Sequence, residues 1–334
     1  MAAGLYTLRL LQLGFESTAG TLVAATKKLV GDSTYTPMIE REFEEYPRGV
    51  RAMVTGGGFA KQRGSTIEHD GNLTYEEILY PMLSGIVNDA APTGAGPYTW
   101  DFTPVLTGQA SLKTMTAEFV VDDASTKHYE REAGYFLTTE FEVDIQANDV
   151  AKLKWTAEGR AEQSSTVTGS LAPITGRTVV PSNLFALWID AAGGTIGTTA
   201  KTATLRGANI KVVTGAKPDY TLDGRADLDH TGIQTQMMTG ELELTLEHNA
   251  NAATEIAAWR AGTGRLVRLK ADNGAAAGAN KAITFDMSVV YTDDPEFSQE
   301  DGIEIVTLKS AFEYDSTFTN AFICTVINGL SAQP

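Results

Sequence analysis

Two stretches of this chain alternate polar and apolar residues without a fault: Glu140-Phe141-Glu142-Val143-Asp144-Ile145-Gln146 and Glu241-Leu242-Glu243-Leu244-Thr245-Leu246-Glu247. A period of two is the signature of a strand with one buried face. Phe141, Val143 and Ile145 are expected to face a core, with Glu140, Glu142 and Asp144 on the other side. Leu242, Leu244 and Leu246 repeat the arrangement against Glu241, Glu243 and Glu247. Phe119-Val120-Val121, Ile210-Lys211-Val212-Val213 and Ser288-Val289-Val290-Tyr291 predict further short strands bounded by turn residues. Helical patterning is confined to two short blocks and a turn at residues 24–29.

Those two blocks resemble each other. Glu68-His69-Asp70 is followed by Glu76-Glu77-Ile78-Leu79-Tyr80-Pro81-Met82-Leu83-Ser84-Gly85, and Glu247-His248-Asn249 by Ala253-Thr254-Glu255-Ile256-Ala257-Ala258-Trp259-Arg260-Ala261-Gly262. Each reads as a charged strand end, a capped helix start and a closing glycine, with spacings that agree to within one residue. A second match sets Gly134 to Gly159 against Gly302 to Gly329, each read as the closing hairpin of its half. The chain is therefore expected to be mainly β and internally duplicated. The expected division is a first β-sandwich or barrel domain over 1–163, a linker over 164–182 and a second such domain over 183–334, each with one short flanking helix and long loops. The joint at 161–182 is rich in Ser, Thr, Gly and Pro, a composition that keeps no regular period.

Charge narrows the function. Lys and Arg number 26 against 42 Asp and Glu, a net charge of −16, the wrong sign for a groove that grips phosphates. A duct through which DNA must slide has the opposite requirement, since it should not hold phosphates. The single cysteine, Cys324, permits no intrachain disulfide. The opening Met1-Ala-Ala-Gly-Leu-Tyr lacks a signal-peptide pattern and no apolar run approaches 18 residues, so a chain outside the membrane is expected.

Catalytic signatures are missing. The nucleophile-elbow, P-loop and paired-histidine zinc patterns do not occur. Gly56-Gly57-Gly58-Phe59-Ala60-Lys61 lacks the closing Lys-Ser/Thr of a phosphate cradle. Asp122-Asp123 and Asp293-Asp294 follow apolar strands and read as turns rather than acid/base pairs. The histidines, His69, His128, His230 and His248, are scattered and predict hydrogen-bonded or solvated rings rather than metal ligands. No enzyme activity, cofactor or metal is expected. Trp100, Trp155, Trp188 and Trp259 leave a carbohydrate-binding sandwich as an alternative, although each lies in an apolar context suited to a core.

One stretch resembles a known family. Leu13-Gly14-Phe15-Glu16-Ser17-Thr18-Ala19-Gly20-Thr21-Leu22-Val23-Ala24, the Gly-rich segment 47–64 and the strand–loop–helix block are together similar to the major tail tube proteins of long-tailed (siphophage-type) bacteriophages, in the long form with a duplicated tube domain. The resemblance implies small barrels whose sheets join around rings, stacked into the hollow tail of the virion and assembled in the host cytoplasm. It implies partners as well: further copies of the chain, tape-measure protein and DNA in the lumen, and tail terminator and tail tip proteins. Two tube domains per chain predict trimeric, pseudo-hexameric rings. Head–tail completion proteins and secretion tubes share the small barrel and stay open as alternatives.

Within that frame, the acidic rows Glu140, Glu142, Asp144 and Glu241, Glu243, Glu247 are the candidate lumen-facing residues. The Gly-containing loops 46–63 and 223–239 occupy equivalent places before the two blocks and carry apolar residues that solvated loops seldom need. Met53, Val54, Gly56, Gly57, Gly58, Phe59, Ile233, Met237 and Met238 are the candidate ring-stacking residues.

Overall fold

The computed structural model describes residues 6–43, 58–88, 91–122, 127–222, 228–276 and 278–334. Its strands are, in order, β1 (Leu10–Phe15), β2 (Lys27–Lys28), β3 (Asp32–Phe43) and β4 (Gly58–Asn72), then helix α1 (Leu79–Gly85), β5 (Tyr98–Phe102), β6 (Met115–Asp122), β7 (Lys127–Gln146), β8 (Lys152–Gly159) and β9 (Gln163–Ser164). The chain continues with β10 (Phe185–Ala191), β11 (Leu205–Val213), β12 (Ala216–Asp219), β13 (Gly232–Thr235) and β14 (Thr239–Glu247). Helix α2 (Ala250–Ala261) follows, then β15 (Arg265–Asp272), β16 (Ala282–Tyr291), β17 (Glu296–Glu300), β18 (Ile303–Phe312) and β19 (Phe322–Asn328). The fold is mainly β, as the alternation predicts, and every strand pairing is antiparallel.

One sheet runs through both halves of the chain in the order β3–β4–β8–β7–β11–β14–β18–β17. Its centre is the junction of β7 with β11, where Glu140 to Gln146 lie opposite Val213 to Gly207. Phe141, Val143, Ile145, Ala208, Ile210 and Val212 from the two halves share its buried side, all at most 2% exposed. The apolar core beneath is one cluster with members from both halves.

β7 belongs to two sheets. Lys127 to Phe136 pair with β6, and Leu137 to Asp144 pair with β8. The change occurs at Tyr135, a non-glycine residue at φ 62°, the conformation that lets a strand bend sharply and redirect its pairing.

The order of pairings recurs along the chain. β1·β6, β6·β7, β7·β9, β3·β4, β4·β8 and β7·β8 in the first half are matched by β10·β15, β15·β16, β16·β19, β11·β14, β14·β18 and β17·β18 in the second. The long β7 corresponds to two strands, β16 and β17, separated by a segment that contains Pro295, whose missing N–H ends a ladder. β5 has no counterpart; it extends from the first half to pair with β19.

This order corrects the second match read from the sequence. β18 sits beside β14 as β8 sits beside β4, so the residues from Ile303 correspond to those from Lys152, not to those from Gly134. β18 and β19 both pair with β16 and do not form a hairpin. Repeated glycines and alternating acids fit several registers, and only the ladder fixes one. The turn expected over 24–29 contains the short strand β2 instead, because Lys27 and Lys28 pair with Leu13 and Gln12.

Both helices stand where the repeated blocks put them. Asn249 caps α2 by accepting from the N–H groups of Asn251 (2.9 Å) and Ala252 (3.4 Å), and Gly262 closes it at φ 62°. α1 is buried along its whole length but lacks the expected side-chain cap and closing glycine: Ile78 stands at its N-cap without a side-chain bond, Gly85 is its last helical residue and Ile86 follows it. Thr74 Oγ1 accepts from the Glu77 N–H in the turn before it.

A candidate assembly surface

The faces of the continuous sheet are chemically opposite. Because β11 pairs on both sides, Lys211 stands between Glu142 and Glu241, and Asn209 between Asp144 and Glu243. The two acidic rows are thus brought onto one face, away from the core. The full rows read Asp70–Lys154–Glu142–Lys211–Glu241 and Asn72–Lys152–Asp144–Asn209–Glu243–Lys309.

The lysines are what sequence reasoning missed. Lys152 and Lys154 alternate in β8 as the acids do in β7, but only the pairing shows that they share the acids' face. Lys211 reaches Glu140 at 3.3 Å, Lys154 reaches Asp70 at 3.9 Å and Arg206 reaches Glu247 at 2.7 Å. A hydrogen bond from Lys309 to Glu296 (2.7 Å) raises the ammonium pKa. Pairs this exposed hold positions more than they stabilise. With Glu68, Asp70, Glu140, Glu142, Asp144, Glu241, Glu243 and Glu247 set against Lys152, Lys154, Lys211 and Lys309, the face stays acidic but its charges are interspersed. A shallow hollow of about 330 Å³ lies over Glu68, Asp70, Glu140, Glu142 and Lys154.

The candidate stacking residues separate. Met53, Val54, Gly56 and Gly57 lie outside the described residues. Gly58 and Phe59 belong to β4, opposite Phe43 and Glu42, and not to a loop as expected. The bare Cα of Gly58 lets the Phe43 ring lie where a Cβ would be 2.6 Å from it. Ile233 is in β13, opposite Pro218. Met237 is 81% exposed, whereas Met238 packs partly against the core. Both methionines line an apolar groove of about 460 Å³ with Val105, Leu106 and Tyr314, residues that no sequence pattern groups together.

The β12–β13 segment is tied to the first half. Arg160 Nε donates to the His230 carbonyl (3.0 Å), the Ala161 N–H to Asp229 Oδ1 (2.8 Å) and the Arg63 N–H to the Leu228 carbonyl (3.2 Å). The His230 ring stacks on Tyr135, with centroids 4.8 Å apart, and Arg160 covers the same tyrosine at 4.5 Å.

The family-like opening has a structural account. Glu16, 1% exposed, accepts from the N–H groups of Gly20 (2.6 Å) and Tyr135 (2.7 Å) and from the hydroxyls of Thr114 (2.7 Å) and Thr116 (3.0 Å). It satisfies the amide at the bend of β7 and closes the loop behind it; Gly20 takes φ 77° there. Glu118 holds the joint in a comparable way, accepting from the N–H (2.6 Å) and hydroxyl (2.9 Å) of Thr168. Further along, Lys281 Nζ donates to Glu76 Oε1 (2.6 Å), the Gly176 carbonyl (2.7 Å) and Thr178 Oγ1 (2.6 Å). The joint keeps little regular structure but is anchored to both halves. Burial raises the Glu76 and Glu77 pKa values, against the pull of Lys281 and Arg177 respectively.

Residues weighed for chemistry lie apart. Among the described residues, no group of three or more His, Cys, Asp or Glu is placed to hold a metal ion. His69 shares a 2.8 Å hydrogen bond with Ser33 and lies beside Trp155; burial, then the nearby Arg177 charge, pushes its pKa down to about 4. His248 lies 3.3 Å from Glu304, just past the end of β14. Trp100 and Trp155 are core residues at 0% and 3% exposure, so neither offers a face to a sugar. No protein-family model and no curated protein matches this chain.

Proposed function

We propose that this chain is a structural subunit that assembles with copies of itself into a hollow conduit for DNA, as the major tail tube protein of a long-tailed bacteriophage does. One observation carries the reading: a single sheet crosses both halves of the chain with its apolar side buried and an acidic, charge-interspersed face turned outward. Lining a channel, such a face would repel phosphates, while its lysines would keep the acidic rows from repelling one another. The recurring order of pairings supports the reading of residues 1–163 and 183–334 as two copies of one unit, joined through 164–182. On this reading three chains supply six units to a ring, and the partners are the tape-measure protein and DNA inside, with terminator and tip proteins at the ends.

Electron microscopy of the purified chain tests the proposal, with mass measurement of any isolated ring. Hollow tubes or rings of three copies are expected. A chain that stays monomeric at high concentration sinks the conduit, and rings of six copies sink the trimer.

A further inference from the structure

Among the described residues, the continuous sheet has two borders paired on one side only. β3 pairs with β4 alone and β17 with β18 alone. Unpaired borders are templates for another strand, and both carry uncovered apolar side chains on the core side of the sheet. On β3 these are Ile39 and Phe43, at 47% and 55% exposure; on β17 it is Phe297, at 62%, directly opposite the fully buried Val306.

The chain already contains the joint that would cover them. β7 stands to β8 as β17 stands to β18, and β11 stands to β14 as β3 stands to β4. Inside the chain β7 and β11 are paired, and their core-side residues are fully buried. We infer that β17 of one copy pairs antiparallel with β3 of a second copy, as β7 pairs with β11 within each copy.

The internal ladder also gives the register. Glu140 lies across β8 from Glu68 through Thr156, and Ser298 lies across β18 from Glu247 through Ile305. Glu68 and Glu247 each precede a histidine, His69 and His248, in the repeated Glu-His block, so Ser298 corresponds to Glu140. On the other side, Thr36 faces Thr66 as Gly207 faces Thr245. Counting along each strand, Glu42 corresponds to Val213, the residue that faces Glu140. Ser298 should therefore face Glu42 of the next copy, and Phe297 should face Phe43. Glu300 should face Glu40, next to Lys61, which already bridges Glu40 (3.5 Å) and Glu42 (3.1 Å). The contact joins unlike borders, so it is head-to-tail and closes only as a ring or continues as a filament.

This inference rests on the self-assembly proposed above but makes a separate claim about which strands meet. In the full-length chain, the double variant Ser298→Cys/Glu42→Cys is oxidised and run on a non-reducing gel beside each single variant; Cys324 is fully buried and stays in place. Interchain disulfides in the double variant alone are the expected result. Dimers from Glu42→Cys alone would overturn the inference, because like borders would then be meeting. Absence of interchain disulfides from the double variant would overturn it whether or not tubes form; if tubes form normally, the conduit reading survives. Linked chains that never build a tube would support the strand pairing and count against the conduit. As a second variant, Phe297→Asp should keep the circular dichroism of the parent and elute as a monomer; unchanged assembly would also refute the pairing.

Discussion

Replacing Glu16 with alanine should be among the most damaging single changes outside the apolar core. The side chain is buried and receives four donors: two backbone N–H groups, of Gly20 and Tyr135, and two threonine hydroxyls. The hydroxyls can turn to other acceptors, but the amides cannot. A buried donor left unmade costs about 1–3 kcal/mol, so the two amides alone predict a loss of about 4 kcal/mol for Glu16→Ala. Glu16→Gln keeps one acceptor oxygen and should lose about half of that. Because the Tyr135 amide sits at the bend that carries β7 from one sheet to the other, the loss should be local before it is global. Urea unfolding of the unassembled subunit gives the stability change, and hydrogen exchange at the Tyr135 and Gly20 amides reports where it acts. An alanine variant within about 1 kcal/mol of the parent, well below the cost of two orphaned amides, would refute this account of the bend.

Two further changes test the buried charge arrangement. The His69 pKa of about 4 lies below its unfolded value of 6.5, so the unfolded chain takes up this proton first as pH falls. The neutral ring's contribution is complete above pH 6.5 and is lost as pH falls toward 4, by about 3 kcal/mol in all. The raised Glu76 and Glu77 act in the opposite direction, so the readout is the stability difference between parent and His69→Gln across that window, which should shrink by this amount; a constant difference would count against a neutral buried ring. Lys281→Met strands the Glu76 carboxylate, 1% exposed, and should cost about 3–5 kcal/mol. Thermal unfolding should show most of it recovered when Glu76→Gln is added, and no recovery would mean that the pair is not coupled.

The sequence was most readable where one residue type alternates with another. Phe141, Val143, Ile145, Leu242, Leu244 and Leu246 are all buried as their period requires, and α2 carries the cap and closing glycine expected of it. What could not be read was partnership. That Lys152 and Lys211 share a face with Glu142 depends on which strands adjoin, and a one-residue slip would have reversed it. The equivalence of β18 with β8 is hidden in the sequence for the same reason. Gly58 and Phe59, beside a run of glycines, carry a loop-like composition, yet they are strand because Phe43 and Glu42 lie opposite them. Glu16 and Glu118 look like ordinary surface acids in sequence; apart from the nearby Gly20 amide, the donors described for them come from segments 50 or more residues away.

The donation of β5 to β19 bears on how the subunit is made. Asn328 accepts from the Trp100 indole N–H at 3.2 Å, 228 residues away in sequence, and its amide donates to the Tyr75 carbonyl at 2.7 Å. Contacts spanning such distances form late and slowly. On the ribosome, the segment that holds β5 must wait with its partner missing until the region of Phe322–Asn328 has emerged, so the first half reaches its final state only after nearly all of the second has been synthesised. Cutting the chain between the halves would likewise leave two fragments interlaced by this strand rather than two separable pieces.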